Sequence, residues 1–193
     1  MSHTPESLCS LPSQTVGPFF QLGLTADAAV GCLAGQGAIG ERIRLQFRLL
    51  DGDGAPVPDG MIELWQADAS GSYNNSADTR QSDAAFGGFG RLATDADGTC
   101  TFSTIQPGRV PDGSGGLQAP HINVSVFARG LLARLCTRVY FGGNLALLDD
   151  DVVLTLVPAE RRHTLLAKRG PTPGNWTFDI HLQGPQETVF FDI

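Results

Sequence analysis

The chain has 193 residues, 41% of them hydrophobic and 17% charged, with a formal net charge of −7. That length suits one domain with a single core burying ~70% of the surface its unfolded form would expose, and the acidic balance offers no basic footprint for nucleic acid or an anionic membrane. The 24 glycines and 12 prolines favour short strands and frequent turns over long helices.

The opening "MSHTPESLCSLPSQTVGPFF" has no basic stretch followed by an apolar run, so it does not read as a signal peptide, and no apolar run reaches membrane-spanning length. Cysteines 9, 32, 100 and 136 form no C-x-x-C, which argues against a zinc site or a disulfide framework and for a reduced, cytoplasmic protein. Residues 1–40 lack periodicity and read as an irregular arm that needs something to wrap. From Arg42 the pattern changes: Ile43, Leu45, Phe47 and Leu49 alternate with Arg42, Arg44, Gln46 and Arg48, as a half-buried strand requires. Further strands are expected at "MIELWQAD", "GTCTFSTI", "HINVSVF", "RLCTRVYF" and "NWTFDIHLQG", with weaker candidates at "VVLTLV" and "ETVFF". Cys100 and Cys136 lie in such runs and should pack as small hydrophobes. "VPAERRHTLLAKRG" reads as one short helix, with Pro158 near its start and Gly170 past its end. Many short strands and one helix predict an all-β, antiparallel β-sandwich.

The strand at 121–127 raises a chemical question. His121, Asn123 and Ser125 share one face, opposite Ile122, Val124 and Val126. From the residues alone, this is either the wet face of a half-buried strand or part of a metal site, since imidazole is the commonest metal ligand. An amide is a weak ligand for a transition metal, which counts against the second reading. Elsewhere, "DGDG" at 51–54 lacks the remaining calcium-loop positions, "DDDV" at 149–152 reads as a solvated turn, and Glu63 and Asp68 face opposite sides of their strand.

"ELWQAD" with a following Gly-x-Tyr, then "FGGFGRLATDADGTCTFSTIQPG" and "APHI", resemble the intradiol ring-cleavage dioxygenases. The resemblance runs from "PSQTVGP" at residue 12 to the C-terminus. It implies a β-sandwich, and in catalytic chains a non-haem Fe(III) held by two tyrosines and two histidines, on which a catechol ring opens with O2. Carried across by position, the tyrosines fall on Tyr73 and Val110, the histidines on His121 and Asn123, and an arginine preceding the histidines on Gln118. With two of four ligands and the nearby cation missing, these positions look vestigial, and Tyr73 and His121 are expected to bond to each other, to Asn123 or to water. The resemblance therefore implies no complete catalytic set and no metal in this chain, with Fe(III) on a homologous β partner that acts on protocatechuate and O2. By the same resemblance Thr15, Gly17 and Pro18 line the partner's substrate pocket and Arg129 offers positive charge to the substrate carboxylate. The implied division is an arm over 1–40 and a dioxygenase sandwich over 41–193. A homomeric dioxygenase with altered ligands and a metal-free binding module are the alternatives.

Overall fold

The computed structural model describes residues 11–192 except 76, 77, 79, 81 and 144. Among these, the strands are β1 (Arg42–Leu50), β2 (Met61–Gln66), β3 (Phe89–Ala93), β4 (Thr99–Ile105), β5 (Val110–Pro111), β6 (Leu117–Gln118), β7 (His121–Phe127), β8 (Leu135–Phe141), β9 (Leu166–Arg169) and β10 (Asn175–His181). β1 obeys its own alternation, with Ile43, Leu45, Phe47 and Leu49 buried and the intervening arginines exposed.

The strands hydrogen-bond in the order β3-β2-β7-β8-β9-β10-β1-β4. β9 is the hinge of this arrangement: Leu166 and Ala167 pair with β8, while Lys168 and Arg169 pair with β10. It thereby hands the sheet from one layer, β3-β2-β7-β8, to the other, β10-β1-β4. Inward side chains of both layers meet in one core containing Leu45, Phe47, Ile62, Val124, Val139 and Phe178. Phe47 sits at its centre, edge-on to Phe102 at 5.7 Å and to Phe178 at 5.8 Å. Each such fully buried side chain contributes roughly 1.5–3 kcal/mol of burial energy. Gln66 crosses the core as a satisfied polar tie, donating to the Ile105 carbonyl at 3.1 Å and accepting from the Thr104 hydroxyl at 2.8 Å. Cys100 and Cys136 are buried in strands as expected; Cys9 lies outside the described residues.

The β-sandwich expectation holds, with two pairings, β1 with β10 and β8 with β9, parallel instead of antiparallel. The helix expected over 157–170 is instead a 3-10 turn at Ala159–Leu165 running straight into β9. Backbone groups at the open edges of β8 and β10 need partners, and that demand overrides local helix propensity. "VVLTLV" is a turn and a 3-10 helix (Leu154–Leu156) instead of a strand, and "ETVFF" makes only the Phe191–Cys136 bridge. β3 was not anticipated. The arm is less irregular than its sequence suggested, with α1 at Pro18–Leu24 and a 3-10 turn at Ala28–Gly31 capped by Asp27. Its second half is docked by bridges from Cys32 to Ser103 and from Ala34 to Phe86. α2 (Leu145–Asp149) and the 3-10 turns after it cover the outer face of β7 and β8, where Leu148, Leu154, Val157 and Leu165 pack around Tyr140 and Ala119.

Candidate functional site

That cover decides the environment of His121. Cross-strand register sets His121 opposite Tyr140 and Asn123 opposite Arg138, all on the covered face of β7 and β8. The face read as polar and wet is in fact closed at this end, and His121 is 1% exposed. Its Nδ1 lies 2.8 Å from the Ala119 carbonyl, which can only accept, so the proton sits on Nδ1 and Nε2 is bare. Burial, reinforced by the Arg138 charge, pushes the imidazole pKa down to about 4, so the ring is neutral near pH 7.

Tyr73 arrives from a loop built around Asp68. The Asp68 carboxylate accepts from the amides of Ser70, Ser72 and Asp83 and from the Ser70 hydroxyl, all within 3.0 Å. Burial works to raise its pKa, but these donors together hold it below the ordinary carboxylate value. Gly71 (φ +83°) is required here, because a Cβ at that position would overlap the Arg109 carbonyl oxygen. This close approach brings the Arg109–Val110 segment against the loop. Val110, buried, pairs with Gln118 across β5 and β6. Tyr73 stacks on Trp65 with ring centroids 5.8 Å apart, and its hydroxyl accepts from Asn123 Nδ2 at 3.2 Å. Burial raises the Tyr73 pKa despite the opposing pull of Asn123 and Arg138, so the phenol keeps its proton near neutral pH. The expected contact of Tyr73 with Asn123 is present, whereas His121 bonds to a backbone carbonyl.

The residue missed at the sequence level is Arg138, so the expectation of a site without a cation is corrected. Its guanidinium donates from Nε to Asn123 Oδ1 at 3.1 Å and from Nη1 to Gln118 Oε1 at 2.8 Å, with the Tyr140 hydroxyl at 3.4 Å. Behind it lies a second correction. Asp149 and Asp150 are exposed as the solvated-turn reading requires, but Asp151 is fully buried. Its carboxylate accepts from the amides of Ala119, Val153 and Leu154 and from the Tyr140 hydroxyl at 2.7–3.1 Å. The period-two pattern of "RLCTRVYF" does put Arg138 and Tyr140 on one face. Only the register with β7 brings them to Asn123 and His121.

These side chains do not fit a ferric ion. Val110 has no donor atom, and Asn123 spends its oxygen on Arg138 and its amide on Tyr73. Among the described residues no group of three or more His, Cys, Asp or Glu side chains could hold a metal ion.

The remaining candidates gather elsewhere. The Thr15 hydroxyl accepts from the Gly130 amide at 2.7 Å, tying the arm to the loop that follows β7 and carries Arg129. Gly17 is exposed, and a Cβ there would meet no described atom within 4 Å; Pro18 opens α1. Arg129, 68% exposed, pairs with Asp59 at 3.0 Å. Glu63 is engaged by Arg91 at 2.6 Å, consistent with its exclusion as an acid–base group.

Two β layers, with a tyrosine, a histidine and an asparagine gathered at one end of β7, form the sandwich and the candidate site. A family model described as Dioxygenase matches residues 16–184. The chain is 42% identical to the protocatechuate 3,4-dioxygenase alpha chain of Burkholderia cepacia over 97% of its own length and 99% of the relative's. It is 36% identical to the beta chain of the same enzyme from that organism, over 78% of this chain and 68% of the relative. Among solved structures, the dioxygenase domain of a carbohydrate-binding fusion from Streptomyces sp. SirexAA-E superposes with a TM-score of 0.61 at 27% identity, covering 80% of this chain and 87% of that one. The chain belongs to the intradiol ring-cleavage dioxygenase family.

Proposed function

We propose that this chain is the alpha-type, non-catalytic subunit of a protocatechuate-cleaving dioxygenase, with Fe(III) held by a homologous β chain that binds protocatechuate and O2. Ring opening between the two hydroxyl-bearing carbons would give 3-carboxy-cis,cis-muconate. Residues 1–40 act as an arm on the partner, and 41–193 form the sandwich domain. Thr15, Gly17 and Pro18 form one wall of the partner's pocket, and Arg129 meets the substrate carboxylate. The cytoplasm is the proposed compartment; no helix among the described residues is long and apolar enough to cross a membrane.

The observation that carries this reading is the position of the arm. Thr15 is held at Gly130, beyond the far end of β7 from His121. At about 3.3 Å per residue the strand separates them by about 20 Å, too far for Thr15 and its neighbours to complete this chain's own site. The arm and the loop it meets also carry exposed apolar side chains: Leu11 is 85% exposed, Leu22 65% and Leu132 63%. Such groups favour burial against a partner.

Iron quantification and protocatechuate-dependent O2 uptake, on this chain, a candidate β chain and the two co-expressed, test the assignment. Stoichiometric iron and full turnover are expected only with both chains present. Turnover at one iron per isolated chain would replace the assignment with a homomeric dioxygenase. A monomer that binds small aromatics and leaves the β chain unaffected would replace it with a metal-free module.

In the assembled enzyme, Arg129→Ala is expected to lower kcat/KM for protocatechuate by about 1.5–3 kcal/mol, roughly 10- to 150-fold, as for a lost hydrogen bond to a charged group. Unsubstituted catechol should suffer less. The exposed Asp59 pair contributes little, so Asp59→Asn should preserve the preference between the two substrates. Equal losses on both substrates with Arg129→Ala would mean that the arginine serves assembly instead.

A further inference from the structure

We propose that Arg138 stands where a metal-centred charge would otherwise organise this site, and that its seated guanidinium keeps Fe(III) out even when ligand side chains are supplied. The inference rests on reading Tyr73, Val110, His121 and Asn123 as vestigial metal-site positions.

Arg138 faces Asn123 directly across the β7–β8 ladder, where side chains on one face are nearest neighbours. It engages the site through two carboxamide oxygens, Asn123 Oδ1 at 3.1 Å and Gln118 Oε1 at 2.8 Å. Each contact uses a different edge of the planar fork, which holds the guanidinium in one orientation as a lysine could not be held. The consequences propagate outward. With its oxygen turned to Arg138, Asn123 must present its amide to Tyr73, and the Tyr73 hydroxyl accepts that proton at 3.2 Å. An oxygen committed to an amide donor is poorly placed to become a phenolate ligand. On the other side, Nη1 approaches the Tyr140 hydroxyl at 3.4 Å, and Tyr140 donates to buried Asp151 at 3.1 Å. The cation is thus linked to a buried carboxylate through one phenol, with no direct ion pair to Arg138 among the described residues. A chain of hydrogen bonds with an ionic group at each end is strengthened by polarisation in a low-dielectric interior. A ferric ion among Tyr73, His121 and position 123 would have to displace the guanidinium from Asn123 and then face its charge.

The test restores ligands with and without the arginine in the full-length chain. Val110→Tyr with Asn123→His removes the Asn123 contact but leaves Arg138 held by Gln118 Oε1, and is expected to take up less than about one-tenth of an iron per chain from ferric citrate. Adding Arg138→Gln is expected to raise uptake at least tenfold and to bring up the visible tyrosinate-to-iron absorption band. Arg138→Lys in the same background keeps the charge without the seated fork and should take up an intermediate amount of iron, which separates charge from folding. The proposal is overturned if the double variant loads iron with Arg138 in place, or if removing Arg138 leaves uptake unchanged. Stoichiometric iron in the unmodified chain would instead overturn the non-catalytic reading beneath it. A measurement independent of variant folding uses the native chain. Its Arg138 Nε–H, assigned by its loss in Arg138→Gln, should exchange with water at least tenfold more slowly than exposed Arg129. Equal exchange would mean that the guanidinium is not seated.

Discussion

Asp151→Ala is expected to lower the thermal unfolding midpoint of this chain by about 8–16 °C. The carboxylate is fully buried and gathers donors from three segments: the Ala119 amide before β7, the Val153 and Leu154 amides of its own turn, and the Tyr140 hydroxyl of β8. Alanine leaves these groups without an acceptor and without water to replace it. The Ala119 and Leu154 amides are the two in fully buried contacts, and orphaning each costs about 2 kcal/mol, or about 4 kcal/mol together. For a domain of this size each kcal/mol moves the midpoint by about 2–4 °C. Asp151→Asn should lie between the variant and the parent, because its oxygen can serve the Val153 and Leu154 amides while its NH2 confronts the Ala119 donor. Calorimetry or far-ultraviolet circular dichroism on the three proteins reads the order directly. A shift below about 3 °C for Asp151→Ala would mean that water or a relaxed turn satisfies those amides.

Acid should weaken the fold through His121. Burial, then the neighbouring Arg138, depresses its folded-state pKa to about 4 from an ordinary value of 6.5. The Ala119 carbonyl and Asp151 oppose the shift, and Tyr140 completes the surroundings at a ring distance of 5.8 Å. Between these two pKa values the unfolded chain binds the proton and the folded chain does not. The stability contribution is therefore complete above about pH 6.5 and is lost as pH falls toward 4. By linkage the loss between pH 7 and pH 5 is about 2 kcal/mol, approaching about 3 kcal/mol below pH 4. Urea unfolding at pH 7 and pH 5, compared between the parent and His121→Gln, isolates this group, since other titrations are shared. The parent should lose about 2 kcal/mol more than the variant. Parallel pH slopes would place the His121 proton equilibrium near its ordinary value and contradict the closed environment of β7.

Much of the sandwich is legible before folding because alternation is local. Ile43 to Leu49 and Trp176 to Ile180 state in sequence which side chains face the core. The family is legible for a related reason, since "ELWQAD" and "APHI" are contiguous. Segments whose conformation is set by distant partners are harder to read. Residues 166–169 carry a helix-compatible pattern, yet β8 and β10 recruit them as the joint between layers. Asp151 sits in a charge run that solvation alone would leave outside, and the Ala119 amide and Tyr140 hydroxyl from remote segments, added to the amides of its own turn, make its burial tolerable.

The sequence by itself determined that position 110 has no donor atom and position 123 only an amide, so the ligand set implied by the family resemblance is incomplete before any fold is known. It also determined the alternating strands and the arm ahead of them. Only the tertiary structure decided what occupies the site instead: Arg138 against Asn123 and Gln118, with Tyr140 and Asp151 behind. The physical reason is that residue identity and period-two alternation are properties of the chain, whereas cross-strand register and burial exist only once remote segments have paired.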